Sequence, residues 1–355
     1  MDIDSIIPFC NFIKVSVDRI NTNIRNKIIS FKDILYCSLY MNSIPCSYSL
    51  ANINMGTTEI IDVSDDALKK KRKNTSFQYF KQISDSLIDF IYKDDNDPRV
   101  IGVDGTYISL SIKLKSEGFA TSRRNTYCIA LISSLFDVNK KLLINYSLTS
   151  NRNERQGLVD QLEYLKVGDI LIMDRGYFSK DLLHTLHKFG IDVIFRMKKN
   201  SYLVKQLKYK NQTSMKTRIY YGNKIISFRI IMYNIGNKKY YLGTTIMNKT
   251  VSYFKDLYWK RWRIEINFRE SKYLLSLRNL MSRNINCIQQ DVYSHNILFI
   301  IHSYFKNQLN QCLPKEKSIN SKNLMFLIKE FIIYLILYKK LTVNIKKQLG
   351  KCYRV

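Results

Sequence analysis

The chain has 355 residues, of which 46% are hydrophobic, and it contains only 4 prolines and 12 glycines. This length and composition argue against long flexible linkers and predict a folded protein with a large core and more than one domain. Lys and Arg total 57 against 29 for Asp and Glu, a net charge of +28, which favours nucleic acid as a partner, with an anionic membrane surface as the alternative.

Cysteine usage and hydropathy indicate the kind of compartment. The seven cysteines are scattered and no C-x-x-C pair occurs, so neither a disulfide framework nor a zinc site is predicted, and a reducing intracellular compartment fits. The start, MDIDSIIPFC, is acidic and lacks a signal-peptide pattern. The apolar run Phe331–Tyr338 is too short to span a bilayer. We therefore expect a soluble protein with no membrane partner.

Residues 1 to about 95 are predicted to be mainly helical. The segment DDALKKKRKNTSFQYFKQISDSLIDFIY carries apolar residues at helical spacing. Its basic cluster, Lys69–Lys73, has two interpretations that the cluster alone does not separate. It either faces a phosphate backbone or forms a solvated, charged helix end.

Two apolar strands that stop at an aspartate occupy the middle of the chain. RVIGVDG stops at Asp104, and DILIMDRGY stops its apolar run at Asp174. Between them YISLSIKL, YCIALISSLF and LLINYSL have strand composition, and Glu154–Leu165 has a helical period. Ser179 is a predicted N-cap for a helix through Lys188, which a glycine would end before the strand DVIFRMKK. This alternation predicts an α/β core with a parallel component.

The pattern changes after residue 200. From about 200 to 250 the sequence predicts several strands joined by Gly-Asn and Asn-Lys turns. The basic and aromatic stretch YWKRWRIEINFRESK, Tyr258–Lys272, follows. Long helices are predicted over roughly 286–310 and 321–348.

The two strand-terminal aspartates are candidate metal ligands. In open α/β sheets, ligands gather beyond the carboxyl ends of the strands. Asp104 directly precedes Gly105, and Asp174 lies two residues before Gly176, so the chain can turn sharply there and a bulky ligand can approach. Together the carboxylates could share a pair of hard divalent cations, which prefer oxygen ligands. Ordinary turn chemistry is the alternative for each aspartate.

Glu265 is the third candidate acid. If Tyr258–Lys272 is one helix, a stripe about 60° wide brings together Tyr258, Arg261, Glu265 and Lys272, and Arg269 joins the same face. A carboxylate there can ligate a metal while the cations hold flanking phosphates. An ion-pair ladder from Arg261 through Glu265 to Arg269 is the alternative, and the two interpretations are compatible.

These residues carry a resemblance to a known family. The spacing Y-x2-R-x3-E-x6-K is met in full by Tyr258, Arg261, Glu265 and Lys272. Together with DRGY before it, this pattern resembles the signature of DDE transposases of the bacterial insertion-sequence type. The segments DRGYFSKDLLHTLHKFGIDVIFRMKKN and IGVDGTYISL look like the surroundings of that family's second and first aspartates. The similarity covers roughly residues 62–310.

The resemblance implies a ribonuclease H-like α/β fold, with a mixed sheet, flanking helices, a β-rich insertion and helical N- and C-terminal regions. Asp104, Asp174 and Glu265 would be the catalytic, metal-binding triad for two Mg²⁺ or Mn²⁺ ions. The implied segments are a helical region with possible DNA binding (1–95), the first part of the core (96–200) and the β-rich insertion (201–250). The second part of the core, with the Glu-bearing helix (251–310), and a helical tail (311–355) follow.

The resemblance also implies how DNA is held. Tyr258, Arg261 and Lys272 would contact phosphates at the transposon end, with Arg269 on the same face. Trp262 would stack on a displaced base, with a buried structural Trp as the alternative. No histidine base is needed for this chemistry, so the four histidines are interpreted as structural.

The implied activity is metal-dependent cleavage at transposon ends followed by strand transfer. The implied partner is double-stranded DNA, both ends and target, bound by a homodimer. The protein would lie with DNA inside the cell, in the cytoplasm or nucleoid of a bacterium, or in the nucleus or a viral compartment otherwise. Two alternatives stay open: a ribonuclease H-like endonuclease such as a resolvase, and a domesticated, non-catalytic DNA-binding protein.

Overall fold

The computed structural model describes residues 6–24, 29–41, 63–95, 97–274, 280, 282–314, 318–329 and 333–338. The predicted helical regions at the two ends of the chain therefore lie partly outside the described residues. The same holds for the end of the predicted helix over 321–348.

Helices and strands alternate along the middle of the chain. Helices α1 to α12 span, in chain order, Ile7–Asn23, Phe31–Met41, Asp65–Asn74, Gln78–Ile91, Glu154–Val159, Lys180–Lys188, Tyr202–Tyr209, Val251–Lys260, Trp262–Leu274, Ile285–Gln311, Ser321–Leu327 and Ile333–Tyr338. Strands β1 to β9 span Val100–Leu110, Ala120–Thr121, Cys128–Asp137, Leu142–Thr149, Ile170–Met173, Asp192–Arg196, Ser214–Tyr221, Lys224–Ile235 and Lys238–Thr244. The predicted α/β class is therefore confirmed. Within the described ranges, no helix is long and apolar enough to cross a membrane.

The chain divides into two compact units. The first, called here the helical unit, comprises residues 1–95, 108–130 and 270–355. The second, called the sheet unit, comprises residues 96–107 and 131–269. The predicted segment boundaries at 95, 200, 250 and 310 follow a different division of the chain, and they stay a prediction.

A mixed sheet forms the centre of the sheet unit. Its strand order is β3-β1-β5-β6-β9-β8-β7, and β4 pairs with β3. Strands β1, β5 and β6 run parallel, with Val100↔Ile170 to Val103↔Met173 and Ile170↔Asp192 to Met173↔Phe195 in register. The paired part of these strands is a run of mostly buried apolar residues, as expected for parallel strands covered on both faces. This arrangement is consistent with the ribonuclease H-like fold that the resemblance implies.

Strands β9, β8 and β7 extend the same sheet. β6 pairs with β9, β9 with β8, and β8 with β7, all antiparallel. The sequence predicted several strands in this part of the chain, and the structure has three. It also has helix α7 before them, which the sequence pattern did not predict.

Local sequence rules identify the helix after β5 correctly. The Ser179 side chain accepts a hydrogen bond from the Leu182 backbone N–H at 3.2 Å, and the helix ends at Lys188 as predicted. Gly190 follows with a φ of +68°, a left-handed conformation that favours glycine. The helix therefore starts and stops where its capping residues place it.

Strand β1 does not stop at Asp104. It continues to Leu110, so the prediction of a strand end at Asp104, with a separate strand over YISLSIKL, is wrong. The physical reason is that β1 also has β3 as a neighbour, while the pairing with β5 ends at Val103. After β1, Ile112–Glu117 forms a 3₁₀ helix instead of a further strand.

A buried ion pair fixes the start of the parallel strands. Arg99 donates from Nε to Asp169 Oδ1 at 2.9 Å and from Nη2 to Asp169 Oδ2 at 2.5 Å, and the two side chains are only 4% and 3% exposed. Arg99 Nη2 also donates to the Tyr164 carbonyl oxygen, and Asp169 accepts from the Lys166 backbone N–H. These hydrogen bonds satisfy both charged groups, which is the condition under which a buried pair is tolerated.

The basic cluster Lys69–Lys73 lies on helix α3 of the helical unit. Arg72 forms an ion pair with Asp291 and donates to Gln290 Oε1 at 3.0 Å, so its charge serves the packing of α3 on α10. Lys69 pairs with acidic residues in the first turn of its own helix. Lys70 and Lys73 are exposed. Lys69 and Arg72 thus have structural partners, and Lys70 and Lys73 face solvent.

His302 provides a pH-dependent element of stability in the helical unit. It is fully buried in α10, and its Nε2 lies 3.2 Å from the Ser321 carbonyl oxygen. Burial, and then the nearby Lys306 ammonium, lower the pKa of His302 to about 3. An unfolded histidine has a pKa of about 6.5, so between these values the unfolded state binds more protons. The free energy of unfolding should therefore fall as pH drops below about 6.5.

We expect His302→Leu to remove this dependence, which has a limiting slope of about 1.4 kcal/mol per pH unit for one proton. The measurement is urea unfolding between pH 7 and pH 4.5 for the wild type and the variant. His187→Leu is the control, because His187 is exposed on α6. Equal slopes for His302→Leu and the wild type would contradict the prediction.

Candidate active site

Asp104 and Asp174 lie side by side at the end of the paired parallel segment. Val103 and Met173 are the last residues in register between β1 and β5, and each aspartate is the next residue of its chain segment. Both side chains are half-buried. The Gly105 backbone N–H donates to Asp104 Oδ1 at 2.9 Å. The register therefore brings together the two carboxylates that lie 70 positions apart in sequence.

The stretch Tyr258–Lys272 forms two helices, so the expected single helix is wrong. Helices α8 and α9 meet at Arg261. There the Arg261 backbone N–H donates to the Tyr258 carbonyl at 3.1 Å, and the Ile264 N–H donates to the Arg261 carbonyl at 3.0 Å. These three-residue hydrogen bonds belong to a turn tighter than the α-helix. The helical path is therefore tightened locally at Arg261, while the Arg261 backbone keeps right-handed helical angles.

Close packing places helix α9 against strand β1. Ile264 is fully buried, and a methyl group on Gly102 of β1 would lie 3.6 Å from Ile264 Cβ. The rings of Phe268 and Tyr146 stack with centroids 5.7 Å apart. Arg263 donates to the Val138 carbonyl after β3. Glu265, in the first turn of α9, is thereby held on the same side of the sheet unit as Asp104.

Arg261 links the carboxylates of Glu265 and Asp104. Its Nη2 lies 2.6 Å from Glu265 Oε1, and its Nη1 lies 3.8 Å from Asp104 Oδ2. Burial acts to lower the pKa of Arg261, but Tyr258, Glu265 and Asp104 together raise it. The first half of the expected ion-pair ladder is therefore present. Among the described side chains of α9, no ion pair joins Glu265 to Arg269.

Asp174 has two partners of its own. The Tyr258 hydroxyl donates to Asp174 Oδ1 at 3.4 Å, and Arg196 Nη1 lies 3.6 Å from the same oxygen. Arg196 is the last residue of β6, and its guanidinium lies 5.5 Å from the centre of the Tyr240 ring. The sequence analysis missed Arg196. The rule that found the aspartates, a polar residue at the end of a parallel strand, could have found it.

A fourth carboxylate, that of Glu154, lies among these groups. A methyl group on Gly105 would lie 3.3 Å from Glu154 Oε1, and one on Gly176 would lie 3.6 Å from Oε2. Burial, and then Asp104 and Asp174, raise the pKa of Glu154. The sequence analysis missed this residue too, because an acid just after the N-cap Asn153 is ordinary for a helix start.

The electrostatics of the cluster are those of crowded carboxylates. Burial raises the pKa of Asp104; the Gly105 N–H and Arg261 lower it, while Glu265 and Asp174 raise it. All the candidate metal ligands are carboxylate oxygens, which suit Mg²⁺ or Mn²⁺. In the part of the chain that the structure describes, no three such groups form a ready-made metal site. The residue types therefore fit a divalent cation, while Arg261 holds Glu265 in an ion pair.

The predicted DNA contacts divide by exposure. Tyr258 and Arg261 are buried, at 8% and 5% exposed. Trp262 is 55% exposed, which excludes the alternative of a buried structural Trp. Arg269 is exposed on α9. Lys272 lies in the same helix, and its side chain is outside the described part of the chain.

The acidic groups lie where the parallel pairing of β1 and β5 ends. They define a class of protein: an α/β protein with a carboxylate-lined site at the ends of paired parallel strands. Residues 95–301 match the family described as transposase DDE domain. This match covers more than half of the chain, and the chain belongs to that family. The expectation from the sequence resemblance is thus confirmed at the level of the family.

No curated protein matches the sequence. The chain is similar to a solved structure, the cryo-EM structure of the piggyBac transposase synaptic complex with hairpin DNA, with a TM-score of 0.47 and 12% identity. That similarity covers 98% of this chain and 83% of the other. A likeness this distant supports no conclusion about activity.

Proposed function

We propose that this protein is a DNA transposase that uses divalent cations to cleave DNA at transposon ends and to transfer the cut strands. One observation carries the proposal. Asp104 and Asp174 directly follow the last paired residues of neighbouring parallel strands, and Arg261 connects Asp104 to Glu265. Three acids from distant parts of the sequence thus meet within a chain of net charge +28, which attracts nucleic acid.

Asp104, Asp174 and Glu265 would hold two Mg²⁺ or Mn²⁺ ions. Bound there, such ions would polarise the scissile phosphate and make the attacking water more acidic. For Glu265 to bind a cation through Oε1, this oxygen would exchange the Arg261 guanidinium, 2.6 Å away, for that cation. The half-exposed Arg196 beside Asp174 would stabilise the negative phosphate oxygens from the protein side.

Residues of α9 would hold the DNA end. Trp262 offers an exposed ring for stacking on a displaced base, and Arg269 and Lys272 follow on the same helix for phosphate contacts. Buried Tyr258 and Arg261 would act mainly through Asp174 and Glu265. We further propose that a homodimer binds the duplex and that the protein lies with DNA inside the cell.

The phosphate contacts make a prediction about salt. We expect Arg269→Ala and Lys272→Ala each to flatten the dependence of end-DNA binding on salt by about 0.9 in the slope of log affinity against log salt. The measurement is fluorescence anisotropy of labelled end DNA over a range of salt concentrations. Lys188→Ala is the control, because Lys188 is exposed at the end of α6. Slopes identical to wild type for both α9 variants would contradict this role of the helix.

The proposed function is tested with the inverted repeats that flank the gene. Purified protein, Mg²⁺, a duplex carrying one repeat and a target plasmid should give cleavage at the repeat and covalent joining to the plasmid. EDTA should abolish both products. Cleavage without joining would instead indicate a ribonuclease H-like endonuclease, and binding without cleavage a non-catalytic DNA-binding protein.

A further inference from the structure

We infer that Glu154 is a fourth acidic ligand of the divalent-cation site, acting with Asp104 and Asp174. The inference rests on the proposed function. It concerns a residue of α5, outside both aspartate strands and outside the signature helix. Nothing in the sequence pattern assigned it a role.

The position of the Glu154 carboxylate carries the inference. A methyl group on Gly105 would lie 3.1 Å from Glu154 Cγ and 3.3 Å from Oε1. A methyl group on Gly176 would lie 3.6 Å from Oε2. Gly105 follows Asp104 directly, and Gly176 lies two residues after Asp174. One carboxylate oxygen therefore faces the backbone beside each aspartate.

The surroundings of Glu154 hold it in this position. The neighbouring Arg155 donates from Nε to the Gly176 carbonyl at 2.9 Å and from Nη2 to the Phe178 carbonyl at 3.2 Å. The Tyr107 hydroxyl donates to the Arg152 carbonyl at 3.0 Å. The start of α5 is thus tied to the loop after Asp174 on one side and to β1 on the other. An exposed helix end needs no such fixation.

A buried hydroxyl group without a partner gives an independent sign of a ligand. Tyr177 is 1% exposed, and its hydroxyl has no hydrogen-bond partner in the described structure. Burial raises the pKa of Tyr177 most, and Glu154, Asp104 and Asp174 raise it further, so its phenol group lies within electrostatic range of the same carboxylates. A buried polar group left without a hydrogen bond destabilises the fold. Such a group is explained if an ion and its water complete the site.

The inference predicts opposite effects with and without a cation. Without one, Glu154 adds negative charge beside Asp104 and Asp174, and the repulsion destabilises the fold. With one, the same charge binds the cation. Glu154→Gln should therefore raise the melting temperature in EDTA and reduce the rise that Mn²⁺ produces. A residue that only packs would lower the melting temperature under both conditions.

The test is a titration of free Mn²⁺ by electron paramagnetic resonance, together with thermal melts, for wild type, Glu154→Gln and Asp104→Asn. Asp160→Asn is the matched control, because Asp160 ends the same helix and is exposed. We expect Glu154→Gln to weaken Mn²⁺ binding at least about tenfold, the lower end of what even an outer-sphere partner contributes. Glu154→Asp keeps the charge but withdraws the carboxylate, so its Mn²⁺ affinity should fall between that of the wild type and that of Glu154→Gln.

The outcomes separate this inference from the proposed function. Loss of Mn²⁺ affinity in Asp104→Asn, with Glu154→Gln indistinguishable from Asp160→Asn, would overturn the inference and leave the proposed function standing. Wild-type protein that binds no Mn²⁺, even with end DNA present, would overturn both. Weaker binding in Glu154→Gln with a higher melting temperature in EDTA supports the inference.

Discussion

Glu265→Gln is expected to abolish cleavage of end DNA while leaving the affinity for that DNA unchanged. The substitution keeps the shape of the side chain but removes the negative charge that would bind a cation. The expected loss is at least about a hundredfold to a thousandfold, the range for removing one preorganised electrostatic group from a transition state. Cleavage is measured in Mg²⁺, and binding is measured by anisotropy in EDTA.

The structure sharpens this prediction, because Glu265 also pairs with Arg261. If Glu265 only positions Arg261, the freed guanidinium should alter DNA binding and cleavage together. Parallel losses of both would therefore favour the ion-pair ladder over the metal triad. Asp256→Asn is the control, since Asp256 is an exposed acid on the adjoining helix α8 and changes the net charge equally.

Asp169→Ala is expected to give the largest loss of stability, about 3–5 kcal/mol in the free energy of unfolding. It removes the carboxylate that accepts two hydrogen bonds from the buried Arg99 guanidinium, while the hydrogen bond from Arg99 to the Tyr164 carbonyl stays. The measurement is chemical unfolding at neutral pH. Asp85→Ala, which breaks the helix-surface pair with Lys81, should cost only about 0.3–0.5 kcal/mol.

A double variant separates the loss of a charged partner from the loss of packing. Arg99→Met combined with Asp169→Leu removes both charges and keeps apolar volume, and such replacements are often close to neutral. We expect the double variant to be more stable than Asp169→Ala. A double variant that is as unstable as Asp169→Ala would show that the backbone hydrogen bonds to Tyr164 and Lys166, and not the paired charges, set the cost.

The sequence predicted what depends on local chemistry. The strand-then-aspartate pattern located Asp104 and Asp174, and the cap at Ser179 located α6. The register of β1 against β5 could not be predicted, because it is fixed by pairing over 70 positions of sequence. Glu154 could not be predicted for a similar reason, because its proposed role depends on residues that are distant in sequence and not on its neighbours in the chain. The turn at Arg261 between α8 and α9 was also not predicted, because no glycine or proline marks it in the sequence.

The bridge from Arg261 to Asp104 and Glu265 has a consequence for charge balance. The guanidinium is a resident counter-charge, so the ion-free protein does not bear the full repulsion of its acids. If divalent ions enter as proposed, loading is an exchange of one cation for another. The displaced guanidinium would stay buried, and its charge, no longer neutralised by Glu265, would act through space on the negatively charged DNA backbone at the site. Ion uptake and the grip on DNA would thereby draw on the same positive charge and favour each other.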